Sequence, residues 1–488
     1  MNAVSIAPPQ PLLERKLWMG GTWRAGVEVR EITNPFDGAI ASRVHVGDAA
    51  LLDDAIGLAQ TAYDEAWRQQ PAHVRAEILR RTGALLRERS EDFARAIALE
   101  VGKPIQTARG EASRAVCTFE EAARECLNLH GEQIPTDAVA NGVGRFAVTT
   151  RQSLGVVGAI TPFNFPLNLV AHKVAPALAA GNTVVLKPPS DGPSPALMLA
   201  ELLAEAGLPA GCLQVVPCSG NIAERLATDP RVQVLTFTGS ADVGWHLRSL
   251  AREKKVMLEL GSMSPAIVHA DADLDLAIAR CVFGGFAFAG QVCIHTQRIL
   301  IHAALFDEFA QKFVAEVESL TVGDPLQEDT FVGPMIRPAE RDRVHQWVTE
   351  AKAAGADVLT GGAVHAQYES CYLPTVIKNV PAGVTLSCSE VFGPVVVLQS
   401  YETFEEAIAL ANDTPYRGLN AGVFTNDYRL ALQASRDLHA GTVLINESPT
   451  WRIDLMPYGG LGKSGSGREG PRYAIEEMTE IKLTVFKL

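Results

Sequence analysis

Between Leu154 and Leu260, five short apolar runs alternate with helical stretches. That alternation restricts the chain to a parallel sheet wrapped by helices, because parallel strands can be joined only by crossovers. The strands are predicted at Gly155–Thr161, Thr183–Lys187, Leu213–Pro217, Val232–Thr238 and Val256–Leu260. The helices between them are predicted at Asn168–Ala180, Pro195–Ala206, Ile222–Thr228 and Asp242–Arg252, the second closed by Gly207 and Pro209. The expected form is α/β and doubly wound, and such sheets bind ligands beyond the carboxyl ends of their strands. Asn164, Lys187, Gly239-Ser240 and Glu259 all fall at or just after such ends.

The flanking sequence adds a helical layer before the sheet and a second alternating region after it. Residues 1–45 read as an irregular or stranded entry with turns at Gly20-Gly21 and Asn34-Pro35. Asp48 is placed as an N-cap, with Leu51, Leu52, Ala55, Ile56 and Ala59 on one helical face. Further helices are expected to about Glu88, from a Ser90 cap to Gly102, and from Ala108 to about Asn128. After residue 261, strands are expected at Arg298–His302, Val395–Leu398, Ala421–Thr425 and Thr442–Asn446, separated by helices. Arg145–Gln152 reads as a lone strand that can pair with Glu480–Leu488 or with an edge of another subunit.

Composition narrows the function classes. The 488 residues exceed one hydrophobic core, so two or three domains are expected. A net charge of −13 without a lysine or arginine block argues against nucleic acid and anionic membranes as partners. The eight cysteines include no Cys-x-x-Cys pair, which argues against a zinc site or disulfide framework and for a reducing compartment. Met1–Pro9 has neither the basic nor the apolar region of a signal peptide, and no apolar run approaches the ~18 residues of a membrane span, so a cytoplasmic protein is expected.

Two residues 34 positions apart carry the chemistry best. Cys293 is a candidate nucleophile, and Glu259 a candidate base if burial holds its pKa near the working pH. Thr238-Gly239-Ser240-Ala241-Asp242-Val243-Gly244 joins a strand to a helix, either as a phosphate-binding turn or simply as a tight βα turn. Two formal G-x-G-x-x-G matches, Gly460–Gly465 and Gly465–Gly470, lack room for the helix, strand and acid that must follow. Gly462-Lys463-Ser464 imitates a P-loop ending, but the required first glycine is Pro457. In Pro162-Phe163-Asn164-Phe165-Pro166 the asparagine amide is a candidate oxyanion donor or an Asx-turn. Lys187, before Pro188-Pro189-Ser190, can reach ribose hydroxyls or solvent.

Taken together, Asn164, Lys187, Gly239-Ser240, Glu259, Cys293, Glu390-Val391-Phe392-Gly393-Pro394 and Pro457-Tyr458-Gly459-Gly460 follow one order at one set of spacings. That set resembles the NAD(P)-dependent aldehyde dehydrogenase superfamily from about Trp18 to Phe486. It is nearest to the lactaldehyde, nonphosphorylating glyceraldehyde-3-phosphate and phosphonoacetaldehyde dehydrogenase-like members. The resemblance implies a Rossmann-type cofactor domain (residues 1–127 and 152–259), a catalytic α/β domain (260–461), oligomerisation strands (128–151 and 477–488) and a return to the cofactor domain (462–476). It implies Cys293 as nucleophile, Asn164 as oxyanion donor, Glu259 as base, and Lys173 and Glu469 as proton relay. NAD or NADP would be held by Thr161, Pro162, Lys187, Ser190, Gly239, Ser240, Gly244, Leu260, Glu390 and Phe392. No metal is implied, and a homodimer or homotetramer is expected.

The substrate tunnel would be lined by Phe165, His172, Ala287, Trp451, Arg452 and Tyr458. Arg452 stands where nonphosphorylating relatives hold an anionic group, so a small anionic or hydroxylated aldehyde is expected; the alternative is a surface arginine paired to Asp454. Ser190 occupies a position where many NAD-preferring members have glutamate, which leaves NADP permissible. Ser262 replaces the usual second glycine after Glu259-Leu260-Gly261. Competing readings are a CoA-acylating or an aromatic or alkyl aldehyde dehydrogenase, or a non-catalytic structural relative. The joint presence of Cys293, Glu259 and Asn164 argues against the last, and Glu259 against the first.

Overall fold

The computed structural model describes residues 14–488, so the Met1–Pro9 segment lies outside the described residues. Its central sheet runs in the order Gly465–Ser466, Lys255–Glu259, Val232–Thr238, Val156–Ile160, Thr183–Lys187, Leu213–Val215, Leu17–Met19, Thr22–Arg24. The five predicted strands form its parallel middle, and the order of connection reverses between Val156–Ile160 and Val232–Thr238, which pair parallel. Such a switch point opens a crevice at the strand ends, and Asn164 and Gly239 follow the two strands that flank it.

The edges correct the all-parallel expectation. Leu17–Met19 and Gly465–Ser466 both join antiparallel. The second of these includes Gly465, which both formal glycine motifs share. Gly465 has φ +139°, and a Cβ there would sit 2.1 Å from the Leu258 carbonyl oxygen. Its glycine therefore lets a C-terminal segment lie directly against the strand that ends in Glu259, and has nothing to do with phosphate.

The helical layer matches its expected positions with local shifts. Asp48 caps Ala49–Ala62 by accepting from the Ala50 and Leu51 amides. Ser90 is the first helical residue of Ser90–Val101 rather than its cap, and Gly102 ends that helix at φ +67°. The next helix begins at Ile105, directly after Pro104, and runs to Leu127. The Pro104 carbonyl accepts from the Ala108 amide and the Pro325 carbonyl satisfies the Ile105 amide, which starts the helix ahead of the expected Ala108. The predicted Ile222–Thr228 helix is two short pieces, Gly220–Ala223 and Arg225–Thr228.

A second sheet has the order Asp357–Thr360, Thr375–Lys378, Val395–Tyr401, Arg298–His302, Pro265–Val268, Asn420–Phe424, Thr442–Ile445. Three of these strands (265–268, 357–360 and 375–378) were not predicted. Each is only four residues long, and one opens on a proline, so neither length nor composition signals them. Arg145–Ser153 pairs antiparallel with Thr479–Lys487 within the same chain, and Gln133–Ile134 completes that small sheet. Among the described residues, no helix is long and apolar enough to cross a membrane.

Candidate active site

Cys293 stands at the end of a turn with an unusual backbone. Phe288 and Ala289 take φ of +50° and +52°, and Gly290 follows at +67°. A Cβ on Gly290 would lie 2.2 Å from the Gly393 carbonyl oxygen, so only glycine fits. Left-handed backbone at two consecutive non-glycine residues costs energy that the surrounding packing must offset. This bend brings the Cys293 Sγ to 3.0 Å from the Tyr458 hydroxyl, which in turn donates to Glu259 Oε1 at 3.3 Å. Residues at 259, 293 and 458 thus converge on one point.

Burial sets the electrostatics there. Glu259 is 4% exposed, and burial, reinforced by the charge of Glu469, pushes its carboxyl up to about 7. The Cys293 thiol is raised well above its ordinary value by burial and by Glu259, while the Tyr458 hydroxyl pulls it down. Glu469 goes the other way: its carboxyl lies low because Lys173, His172 and Arg452 together outweigh burial. Lys173 Nζ is 2.9 Å from Glu469 Oε1 and also donates to Thr236 Oγ1 at 3.2 Å.

The Asn164 loop is held from beneath. The helix Asn168–Ala179 has no side-chain cap of its own. Glu111, from the long helix, supplies one by accepting from the Leu167 and Asn168 amides at 2.9 and 3.1 Å. Its other oxygen is paired with the fully buried Lys103, whose Nζ sits 3.7 Å over the Phe165 ring. Removing either partner of this buried pair would strand a charge, at about 3–5 kcal/mol. Asn164 makes no Asx-turn: its Nδ2 donates to the Gln291 carbonyl at 3.1 Å. The second N–H of that amide is left for another acceptor.

A cleft of about 1330 Å³, counting its open mouth, leads to Cys293. Phe165, Ala287, Arg452 and Tyr458 line it. His172 and Trp451 do not. His172 is buried with Nε2 2.8 Å from Asp454 Oδ1, and Trp451 is 41% exposed outside the cleft. Arg452 is neither a surface residue nor the partner of Asp454. It lies 3.7 Å over the Tyr458 ring, 3.2 Å from His172 Nε2 and 3.9 Å from Glu469. Asp454 is instead gripped by both ends of the Arg114 guanidinium, at 2.8 and 3.1 Å.

Arg114 itself lines the cleft and was missed from sequence. Thr107, Gly110, Glu111 and Arg114 recur at helical spacing on the face that meets the cleft, but periodicity alone cannot say which helix face meets a cavity.

The residues expected to hold a dinucleotide sit along the carboxyl edge of the central sheet. Thr161 and Thr238 each bury a hydroxyl without a partner. Ser240 caps Ala241–Leu250 in an extended conformation with no side-chain bond, leaving the first-turn amides open to an anion. A Cβ on Gly244 would sit 2.4 Å from Leu260 Cδ2, so glycine draws that helix onto the strand. Lys187 Nζ donates to Ser190 Oγ at 3.2 Å, and Pro162 is half-buried. Glu390 accepts from the Ser262 amide at 3.1 Å and lies across Gly261, where a Cβ would come within 2.1 Å of Glu390 Oε2. Phe392 turns at φ +44° and meets Phe163 edge-on at 6.0 Å. Unpaired hydroxyls, open amides and a glycine-lined edge fit a dinucleotide. Ser262 is itself well accommodated, bonding Ser264 Oγ and the Leu419 amide.

Comparison with known proteins agrees with this geometry. The family model described as "Aldehyde dehydrogenase family" matches residues 23–484. The 3-sulfolactaldehyde dehydrogenase of Priestia aryabhattai is 44% identical over 473 residues, covering 97% of this chain and 98% of that protein. Aldehyde dehydrogenase 21 from Physcomitrella patens, solved with its reaction product succinate, superposes with a TM-score of 0.95 at 40% identity, covering 98% of this chain and 99% of that one. The glyceraldehyde-3-phosphate dehydrogenase GapN from Methanocaldococcus jannaschii, complexed with NADP, gives 0.89 at 36% identity over 94% and 99%. With the thiol, carboxylate and amide converging at the head of a dinucleotide sheet, and with likeness of this extent, the chain belongs to the aldehyde dehydrogenase family and is an NAD(P)-dependent enzyme of it.

Proposed function

We propose that this enzyme oxidises a short aldehyde with an anionic or hydroxylated far end to the carboxylic acid, through a thioester on Cys293 that water hydrolyses. The observation that carries the substrate class is that Arg452, whose guanidinium no carboxylate approaches closer than 3.9 Å, lines the cleft that ends at Cys293, the second guanidinium on the lining, Arg114, being held by Asp454. Planar guanidinium forks suit carboxylate, phosphate and sulfonate. The names of the relatives support the same class: sulfolactaldehyde, a succinate product and glyceraldehyde 3-phosphate.

In this reading the Cys293 sulfur adds to the carbonyl carbon. The oxygen that becomes negative is met by the free Asn164 N–H and by the Cys293 amide. NAD or NADP, when bound, supplies the hydride acceptor. Glu259 then takes a proton from the water that attacks the thioester carbon, and the thiol leaves. Lys173 keeps Glu469 ionised, and Glu469 keeps the Glu259 pKa high enough for this exchange. Thr161, Lys187, Ser190, Ser240 and Glu390 would hold the dinucleotide, against a surface shaped by Pro162, Gly239, Gly244, Leu260 and Phe392.

A panel of aldehydes scored by kcat/KM with NAD and NADP, with and without CoA, tests this reading. Short anionic or hydroxylated aldehydes should lead, and CoA should not raise turnover; a preference for long alkyl or aromatic aldehydes would sink the substrate class. Arg452→Leu should raise KM for an anionic substrate about 10-fold or more, the scale of one charged hydrogen-bonded contact, while leaving the KM for propanal unchanged. An equal rise in KM for both substrates would mean that Arg452 does not read the anionic end.

We divide the chain into 1–127 and 152–259 with the cofactor, 260–461 with the thiol, 462–476 returning to the first domain, and 128–151 with 477–488 as an assembly element. Pairing of Gly465–Ser466 with the central sheet supports the return. Thr479–Lys487 is the outer strand of its small sheet and exposes Ile481, Leu483, Val485 and Phe486, which supports a homodimer or homotetramer built there. Deleting residues 479–488 should give monomers or insoluble protein on size-exclusion chromatography. A soluble deletion of native oligomer size would overturn the assignment. The eight cysteines, all free thiols, support a cytoplasmic location.

A further inference from the structure

Burial opposes a free thiolate at Cys293, so something must accept the thiol proton without sending it to bulk water. Sγ stands 3.0 Å from the Tyr458 oxygen, and that oxygen stands 3.3 Å from Glu259 Oε1. A phenol has one proton to give. If it donates to Glu259, its lone pair faces the thiol, and the three groups form a continuous donor chain from sulfur to carboxylate.

Tyr458 is held rigidly in this place. It is 2% exposed, and its backbone exchanges two hydrogen bonds with Glu469, at 3.1 and 2.7 Å. Arg452 covers its ring at 3.7 Å. The charged and titratable groups facing the trio are Arg452 from the loop before Tyr458, Lys173 from the helix below, Glu469 from the C-terminal segment, and Glu390, which acts on Glu259 from the second sheet's side.

We propose that the Tyr458 phenol is a catalytic residue that carries the Cys293 thiol proton to Glu259 before the carbonyl is attacked. The step balances. The S–H bond breaks as an O–H bond forms at Tyr458. The original phenol O–H breaks as a new one forms at Glu259 Oε1. The tyrosine is regenerated, and one negative charge has moved from carboxylate to sulfur. Because a single charge is exchanged inside the site, no second buried charge is created, and Arg452 faces the negative charge at both ends of the path.

The proposal deepens the reading of Cys293 as nucleophile and Glu259 as base, and the test separates the two. The full-length enzyme is alkylated with iodoacetamide between pH 6 and pH 9, the rate of loss of Cys293 being followed by peptide mass. Tyr458→Phe, which keeps the ring under Arg452, should slow alkylation near neutral pH by about 10-fold or more and move its pH midpoint upward; general-base assistance commonly contributes about 10²–10⁴-fold. Glu259→Gln should do the same, and the double variant should be no slower than the slower single variant, since both break one path. The pre-steady-state burst rate with aldehyde should fall in parallel.

Wild-type alkylation in Tyr458→Phe would overturn the relay. So would a double variant in which the two losses multiply, because Tyr458 would then act on the thiol without Glu259. Cys293→Ala serves as the separate check: if aldehyde turnover survives there, the nucleophile reading itself fails and the relay falls with it.

Discussion

Replacing Cys293 with alanine should abolish aldehyde oxidation. Hydride can leave only from a tetrahedral adduct, and no other thiol lies in the cleft: among its lining residues Cys293 is the one cysteine. Loss of a catalytic nucleophile typically costs on the order of 10⁶-fold in kcat. Cofactor affinity should stay within about twofold of wild type, because the residues assigned to the dinucleotide lie along the carboxyl edge of the central sheet and beneath Glu390. Steady-state turnover and dinucleotide fluorescence titration together check this. Turnover within 100-fold of wild type would remove Cys293 from the mechanism.

The second large effect belongs to Glu259. Glu259→Gln preserves shape and removes the base, so one equivalent of NAD(P)H should form, more slowly than in wild type, and then turnover should stop. The steady rate should fall by about 10²–10⁴-fold. In the wild type, the rate of thioester hydrolysis should climb through neutrality. Burial and Glu469 raise the carboxyl to about 7; below that pH Glu259 is protonated and cannot take a proton from water, and above it the carboxylate is present. Removing the like charge with Glu469→Gln should therefore move the midpoint downward. An unchanged midpoint would locate the titrating base elsewhere.

The two results depend on features of different legibility. Cys293, Glu259 and Asn164 were singled out because each sits in a short motif at a recognisable point of an alternating α/β pattern, and the structure joins Cys293 to Glu259 through Tyr458 and ties Asn164 to the carbonyl of Gln291, two residues before the thiol. Lys173 and Glu469 were paired only through the family resemblance, and they meet at 2.9 Å. His172 and Trp451 were placed in the tunnel by their neighbourhood in sequence; one is turned under the cleft onto Asp454 and the other outward. Adjacent residues on a loop share a location but not a direction, and direction is set by what packs against them.

The order of strands and helices, the crossover-bound parallel sheet and the positions of the polar groups at its strand ends were determined by the sequence itself, because periodicity and turn residues act over a few positions. The tertiary structure alone decided which charges meet. Arg452 could have paired with Asp454, two residues away, yet Asp454 is taken by Arg114, 340 residues distant, and Arg452 is left stacked on Tyr458 at the mouth of the reaction. Gly465 matches the spacing of two glycine motifs that the sequence already excludes as dinucleotide sites, and only the fold shows its use, which is to let a late segment lie against the strand of Glu259. Such choices are made by burial, where an unpaired charge or a blocked backbone approach is costly, and the surfaces that compete for each partner exist only once the chain has folded.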